Sequence, residues 1–147
     1  MFVTLLTTTL LVLAVVAIHL EALWLLAGLL RKLQRRPRVA VAIGVLGILV
    51  AHLLEIAVFA AGIYLLDSSP GHGELVGARS AIGEDCIYYS MVTYTSLGFG
   101  DLTPTGALRF LTGVETLTGL VLIAWTASFM FLQMQRLWHA ERPADRE

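Results

Sequence analysis

The sequence predicts an all-α membrane protein, and three observations support this. Of the 147 residues, 57% are hydrophobic and 14% are charged, whereas soluble domains carry about 25% charged residues. The charges are clustered and leave three apolar runs, each long enough to cross a hydrocarbon core of about 30 Å. A fourth helical stretch, 84–95, is too short to span a membrane and is followed by a glycine-containing segment.

The three apolar runs define the expected organisation of the chain. An extra N-terminal transmembrane helix at 1–30 lacks a basic n-region, so we expect it to be a retained helix and not a signal peptide. Pro37 suits the start of the second spanning helix, because proline fits the first turn. The expected elements, in chain order, are a basic loop at 31–38, an outer helix at 39–66, a polar turret at 67–83, a short helix at 84–95, a non-helical segment at 96–101, an inner helix at 106–135 and a tail at 136–147.

The distribution of charge predicts the orientation. The loop at 31–38 holds five Lys or Arg residues and is expected in the cytoplasm. The N-terminus and the 67–105 region, which has one basic residue, Arg79, would then be outside, and the tail with Arg136, Arg142 and Arg146 inside. No basic surface interleaved with aromatics indicates nucleic acid binding. No nucleophile–base pair or phosphate loop indicates an enzyme.

The segment from Thr95 to Asp101 carries the strongest functional signal. Gly98 and Gly100 are two residues apart, which permits positive φ at alternate positions. A strand of this kind can point successive carbonyls toward one axis, and four copies would form stacked rings of oxygens that replace the hydration shell of a cation. The hydroxyl of Ser96 would add one oxygen layer, and the negative end of the short helix would favour a cation. Each chain supplies one such strand, so the geometry requires a homotetramer.

The run YSMVTYTSLGFGDLTP at 89–104 resembles the pore helix and selectivity filter of the tetrameric potassium channels. That family has the pattern Thr-Val-Gly-Tyr-Gly-Asp after an aromatic pair, here Tyr88 and Tyr89, and the resemblance covers residues 40–135. It implies a passive potassium channel of a bacterial plasma membrane, whose partners are further copies of itself, lipid and monovalent cations, with no cofactor. It also implies a hinge at Gly119. The implied ion-binding residues are Ser96, Leu97, Gly98, Phe99 and Gly100, with K⁺ at the first four, and the implied supports of the filter are Thr95, Asp101, Tyr88 and Tyr89.

Two residues depart from the family pattern. Ser96 replaces threonine and loses the methyl group that stiffens its rotamer, and Phe99 replaces tyrosine and loses a hydroxyl. We therefore expect a filter that is less firmly braced, and a poorly selective cation channel stays an open alternative. No stretch resembles an arginine-rich voltage sensor.

Glu115 lies about two turns into the third span, at the depth expected for the filter. One interpretation is an acid behind the filter that bonds the filter backbone or Asp101, relocated from the family position, which here is Val92. The other interpretation is a pairing with Arg109 or with nearby threonines. The threonines in question are Thr112, Thr116 and Thr118.

Four ionisable residues in the first two spans form a second group. His52 and Glu55 are three apart and share a helical face, whereas His19 and Glu21 are two apart and do not. An interhelical clasp, with His19 or Glu21 against His52, is favoured over a proton-linked switch. Metal binding is not expected, because His52 and Glu55 alone supply too few ligands.

The third span also contains a possible gate. Gly119, Ile123, Ala127 and Phe131 recur every four residues on one face. Four Phe131 side chains could close the inner mouth by dewetting, or Phe131 could simply pack between helices.

Two further functions remain open from the sequence. A proton-coupled transporter could use the five intramembrane ionisable residues, but this leaves the glycine segment without a role. A non-conducting accessory subunit would use that segment only for docking. The five ionisable residues are His19, Glu21, His52, Glu55 and Glu115.

Overall fold

The structure, a computed structural model, describes residues 1–141, with side chains up to residue 138. Four helices and two short strands alternate with loops. The elements are α1 (Phe2–Lys32), α2 (Pro37–Asp67), β1 (Leu75–Gly77), α3 (Ile82–Tyr94), β2 (Leu102–Pro104) and α4 (Leu108–Glu141).

Three of the helices are long and apolar enough to cross a membrane, which confirms the expected all-α membrane fold. These segments are Phe2–Lys32, Pro37–Asp67 and Leu108–Trp138. Pro37 occupies the first turn of α2, where its missing N–H costs nothing. The remaining helix, α3, has 13 residues, about 20 Å of rise, and is too short to span.

The inner helix is longer than the sequence suggested. α4 continues to Glu141, so that residues 136–141 belong to this helix and not to a separate tail. The physical reason is the absence of proline or glycine between Gly119 and Pro143, which leaves nothing to end the helix earlier. The expected tail residues Arg142 and Arg146 lie outside the described residues.

A small β-ribbon orders the outer loop, and no pattern in the sequence predicted it. β1 and β2 pair antiparallel, with Leu75 opposite Pro104 and Gly77 opposite Leu102. The carboxylate of Asp67 accepts hydrogen bonds from the Leu75 amide at 2.6 Å and from Arg79 Nη2 at 2.7 Å. The outer loop, the turret of the sequence analysis, is therefore tied to the end of α2 and to β2, which directly follows residues 96–101.

The core forms where α3 packs among the long helices. α1 contacts α2 and α4, and α3 contacts α2 and α4. The largest cluster of buried apolar side chains includes Phe59, Ile63, Leu111, Leu122 and Tyr94. The extra N-terminal helix is thus an integral part of the packing, with Val15 buried in this cluster.

Candidate selectivity filter and its supports

The C-terminal end of α3 is capped by the residues that begin the candidate filter. The Ser96 amide donates to the carbonyl of Thr93 at 2.9 Å, and the Leu97 amide donates to the carbonyl of Val92 at 2.9 Å. Thr95 Oγ1 donates to the carbonyl of Met91 at 2.8 Å. These bonds satisfy carbonyls that a helix end leaves without partners, and they fix the direction in which the chain leaves α3.

The backbone of the candidate filter, residues 96–101, has positive φ at every second residue. The φ values are 60° at Ser96, 57° at Gly98 and 80° at Gly100. The prediction of positive φ at the two glycines is confirmed. Ser96 was not foreseen, since a non-glycine residue adopts this conformation uncommonly and at a cost of about 1–3 kcal/mol. Alternating conformations of this kind are what a strand needs in order to aim consecutive carbonyls in one direction.

The outer end of the filter is held by Asp101. The hydroxyl of Tyr88 donates to Asp101 Oδ2 at 2.8 Å, and this bond raises the pKa of the Tyr88 phenol. The carbonyl of Asp101 accepts from the amide of Ala78, beside the β-ribbon, at 3.2 Å. The second tyrosine points elsewhere, since Tyr89 donates to Thr112 Oγ1 on α4 at 3.2 Å.

Two apolar side chains of the filter are uncovered in the single chain. Leu97 is 57% exposed and Phe99 is 65% exposed. A groove of about 280 Å³ lies behind the filter strand, between α3 and α4. Polar groups in its lining come from Tyr89, Thr93, Ser96, Thr112 and Thr116.

Glu115 is fully buried beside the middle of α3. Its Oε1 lies 2.5 Å from Ser90 Oγ, which in turn lies 2.9 Å from the carbonyl of Ile56 on α2. Among the described residues, Glu115 bonds neither the filter backbone nor Asp101, and it makes no ion pair with Arg109. Glu115 therefore ties α4 to α3 and α2 at the level of Ser90, a partner that no feature of the sequence indicated.

A second buried polar group brings all four helices together, and we call it the Glu55 cluster. Glu55, fully buried, accepts from Tyr94 and faces His19 Nδ1 at 2.9 Å and His52 Nδ1 at 3.0 Å. Thr126 Oγ1 lies 3.4 Å from His19 Nε2 and 3.3 Å from His52 Nε2. The expected meeting of the two histidines is thus centred on Glu55. The cluster consists of His19, His52, Glu55, Tyr94 and Thr126.

The Glu55 cluster differs from the expected clasp in three respects. Glu21 is exposed and lies outside it. Tyr94 and Thr126 were missed, because nothing in their spacing distinguishes them from ordinary core residues. Metal binding was not expected because His52 and Glu55 alone supply too few ligands, and His19 now adds a third candidate. One possible ligand atom from each of the three residues lies within 4.8 Å of the others.

The face of α4 that was expected to gate divides into a packed part and an uncovered part. A Cβ on Gly119 would lie 2.2 Å from the backbone oxygen of Tyr94, so α4 and the end of α3 are in direct contact there. Ile123 and Phe131 are 40% and 59% exposed, and Ala127 is exposed as well. All three are therefore available to face other copies of the chain or the pore axis.

The comparisons with known proteins agree with this geometry. A family profile described as "Ion channel" matches residues 51–136, from the middle of α2 through the filter to α4. This chain belongs to that ion channel family. The family comprises two-transmembrane ion channels and includes potassium channel pore domains, and α1 lies outside the matched part of this channel chain.

One curated relative of this channel chain is protein LctB of Geobacillus stearothermophilus. The two are 36% identical over 56 residues, which is 38% of this chain and 42% of that relative. The match therefore spans less than half the length of LctB. No solved structure matched the chain.

Proposed function

We propose that the chain is one subunit of a homotetrameric, potassium-selective channel that conducts passively through a filter of backbone carbonyls. The observation that carries this proposal is the positive φ at Ser96, Gly98 and Gly100. Alternation in φ lets the carbonyls of 96–99 face one axis, and rings of carbonyl oxygens can replace the water around K⁺. Membership of an ion channel family supports the same function.

The exposed side chains of the filter support assembly around a central axis. Non-helical backbone is tolerated at membrane depth only where protein buries it or where it lines a water-filled path. Leu97 and Phe99 are more than half exposed in the single chain, and neighbouring copies would cover them. One chain contributes one strand, and four strands enclose a pore of the width a dehydrated cation requires.

A poorly selective monovalent cation channel is the second candidate. Phe99 presents a ring without a hydroxyl, so it cannot donate a hydrogen bond to the scaffold around the filter. In the described residues, the outer end of the filter strand is held by the Tyr88–Asp101 bond and by the β-ribbon. A strand with fewer braces is free to widen and admit Na⁺.

The proposed setting is a bacterial plasma membrane with the filter near the outer face. The five basic residues of 31–38 would lie in the cytoplasm, with the N-terminus outside and the end of α4 inside. The Asp67–Arg79 ion pair and the β-ribbon would then face the outer solution.

The reversal potential of the purified protein in planar bilayers tests the proposal. With K⁺ and Na⁺ in opposed gradients, we expect reversal near the potassium equilibrium potential. Reversal near zero would favour the poorly selective channel, and a chain that assembles but carries no current would favour a non-conducting accessory subunit. Reversal that follows the proton gradient would favour a proton-coupled transporter.

A pair of glycine variants provides the matched control for that measurement. Gly98→Ala places a Cβ at a φ of 57° in the filter, and we expect loss of current or of selectivity. Gly113→Ala adds a Cβ on α4 where no atom lies within 4 Å, and we expect unchanged selectivity. Equal behaviour of the two variants would contradict a role for the filter backbone.

A further inference from the structure

The hydrogen bonds of the Glu55 cluster can be counted, because every side-chain polar atom in it has a polar neighbour within 3.4 Å. An ionised carboxylate only accepts, and each oxygen of Glu55 faces one imidazole Nδ1, at 2.9 Å for His19 and 3.0 Å for His52. Both contacts are hydrogen bonds only if both Nδ1 atoms carry hydrogen. Tyr94 donates the third hydrogen bond to Glu55. Its oxygen lies 3.0 Å from His52 Nδ1 as well, and because the tyrosine hydrogen is on Glu55, that oxygen can only accept from the same Nδ1–H.

Two neutral histidines cannot satisfy the other side of the cluster. A neutral imidazole carries one hydrogen, so with both Nδ1 atoms protonated both Nε2 atoms are acceptors. Both of them face the same hydroxyl, Thr126 Oγ1, at 3.4 Å and 3.3 Å. That hydroxyl has one hydrogen and can donate to only one of them. The other Nε2 then faces the oxygen as acceptor against acceptor, in a site that is buried at His19 and partly buried at His52.

One additional proton removes this conflict. If either Nε2 is protonated, that histidinium donates to Thr126 Oγ1, and the hydroxyl donates to the other histidine. The two arrangements exchange when one Nε2 passes its hydrogen to Thr126 Oγ1 and the hydroxyl passes its own hydrogen to the other Nε2. The proton is therefore shared between His19 and His52. The same proton placed on a Glu55 oxygen gives an equally complete set of hydrogen bonds, with each imidazole keeping one N–H.

The charge of the cluster leads to the same proton count. Glu55 is fully buried at the centre of a membrane-spanning helix, and in the described residues it makes no ion pair with Lys or Arg. An uncompensated charge at this depth is costly, and one proton makes the cluster neutral. The other groups packed against it add no compensating charge: Trp125 lies against His19 with ring centroids 5.3 Å apart, and Glu115 on α4 is held by Ser90.

We propose that the Glu55 cluster is a binding site for a single proton, shared by His19 and His52 through Thr126, and that release of this proton regulates the pore. With the proton bound, α1, α2, α3 and α4 are joined by an unbroken set of hydrogen bonds. Without it, the contact from the histidines to Thr126 is lost on one side, and α4 is held less firmly.

Two members of the cluster link it to the proposed pore. Tyr94 is the last residue of α3 and directly precedes Thr95 and the filter. Thr126 lies on α4, between Gly119 and the exposed Phe131. We therefore expect current to rise as the pH is raised and the proton leaves. This regulation goes beyond the proposed function, but measuring it as a current rests on the proposed function, because the chain must conduct.

The ring nitrogens of the wild-type protein provide a test that does not require conduction. Nitrogen-15 NMR of labelled histidine, with His19→Asn and His52→Asn for assignment, counts the N–H groups on the two rings in the presence of a metal chelator. Near neutral pH we expect three N–H groups on the two rings, or two N–H groups together with a protonated Glu55 carboxyl seen by infrared spectroscopy. Two N–H groups with an ionised Glu55, or four N–H groups, would overturn the proposal whether or not the protein conducts.

The pH dependence of the current tests the regulatory half. From acidic to alkaline pH we expect the wild-type current to rise by at least about fivefold, the lower end of typical coupling between sites. His19→Asn and His52→Asn should flatten this response, and Thr126→Ser, which keeps the hydroxyl, should preserve it. His72→Asn is the matched control, because His72 belongs to the outer loop and not to the cluster.

Three outcomes of the current measurement would overturn the proposal. One is an unchanged response in conducting His19→Asn and His52→Asn channels, and another is a response that only His72→Asn abolishes. The third is a response that disappears with the chelator and returns with Zn²⁺, which would assign His19, His52 and Glu55 to a metal. If the asparagine variants do not assemble, Thr126→Val replaces them, since it removes the bridging hydroxyl and leaves both rings in place.

Discussion

Gly119 on α4 lies directly against the backbone carbonyl of Tyr94, the last residue of α3. A Cβ at position 119 would be 2.2 Å from that oxygen and 3.1 Å from Cγ of the tyrosine ring. The glycine therefore permits a close approach of two helices at the level where the filter begins. A shift of α4 toward α3 at this point would press on the carbonyl of Tyr94, the residue that precedes Thr95.

Gly119→Ala is expected to weaken the assembly of the pore. Backbone atoms cannot rotate away as a side chain can, so α4 or the end of α3 must shift, at a cost of about 1–3 kcal/mol. We expect a lower apparent melting temperature and less tetramer on size exclusion in detergent. Gly113→Ala, which meets no atom within 4 Å, should instead gain up to about 1 kcal/mol of helix stability. Equal stability of the two variants would contradict the close approach.

The parts of this fold that follow from local chemistry could be predicted from the sequence. The three spans follow from long apolar runs with few charges, and the start of α2 from Pro37. Positive φ at Gly98 and Gly100 follows from the absence of a Cβ. The pairing of Tyr88 with Asp101 agrees with the prediction that both residues support the filter, although their roles in conduction stay predictions.

The parts that depend on tertiary packing could not be predicted. Ser90 and Thr126 look like ordinary small polar residues in their helices, and only the meeting of helices reveals what they contact. Tyr94 is one aromatic residue among several, and its bond to Glu55 spans 39 positions of sequence. The β-ribbon was missed because two strands of three residues each give no period that a sequence pattern can detect.

Removal of the Tyr88 hydroxyl is expected to shorten the conducting state. Tyr88→Phe loses the 2.8 Å bond to Asp101 while the ring remains, so the outer end of the filter keeps only its backbone contacts. We expect single-channel openings to shorten by about twofold to tenfold, the range that one hydrogen bond supports. Tyr64→Phe is the control, because Tyr64 is exposed on α2. Similar openings in Tyr88→Phe and wild type would argue against bracing by this bond.

Restoration of the family residues in the filter tests whether the strand is loosely held. Phe99→Tyr adds a hydroxyl to a side chain that is 65% exposed in the single chain, where a neighbouring pore helix could accept its hydrogen bond. Ser96→Thr adds the methyl group that restricts the rotamer. We expect longer openings and a higher ratio of K⁺ to Na⁺ permeability, measured by bi-ionic reversal potentials. If openings and permeability ratio stay the same, these two residues do not set the rigidity of the filter.

The outer ion pair is expected to contribute to the order of the turret. Arg79 Nη2 donates to Asp67 Oδ2 at 2.7 Å, and Arg79 Nη1 donates to the carbonyl of Leu75 at 2.9 Å. Asp67 also raises the pKa of the Arg79 guanidinium. Because the pair is partly exposed, we expect Arg79→Gln to lower the apparent melting temperature by only about 3 °C. Arg109→Gln, at an exposed position on α4, should leave it unchanged, and an equal fall in both variants would indicate a general loss of positive charge.

The substitution Phe131→Ala distinguishes a gate at this position from simple packing between helices. Its side chain is 59% exposed in the single chain and lies two turns beyond Ile123 on the same face of α4. A ring of four such side chains would exclude water from the inner mouth, and Phe131→Ala would then hold the pore open. We expect a higher open probability with unchanged selectivity, since the filter lies far from this position.

Packing between helices predicts the opposite effect of the same substitution. Loss of a buried aromatic contact costs about 3–5 kcal/mol, so Phe131→Ala would then reduce the amount of tetramer without raising its open probability. Leu132→Ala provides the comparison, because Leu132 is similarly exposed, at 52%, and is the next residue along α4, rotated to another face. A rise in open probability confined to Phe131→Ala supports the gate, whereas the same loss of tetramer in both variants supports packing.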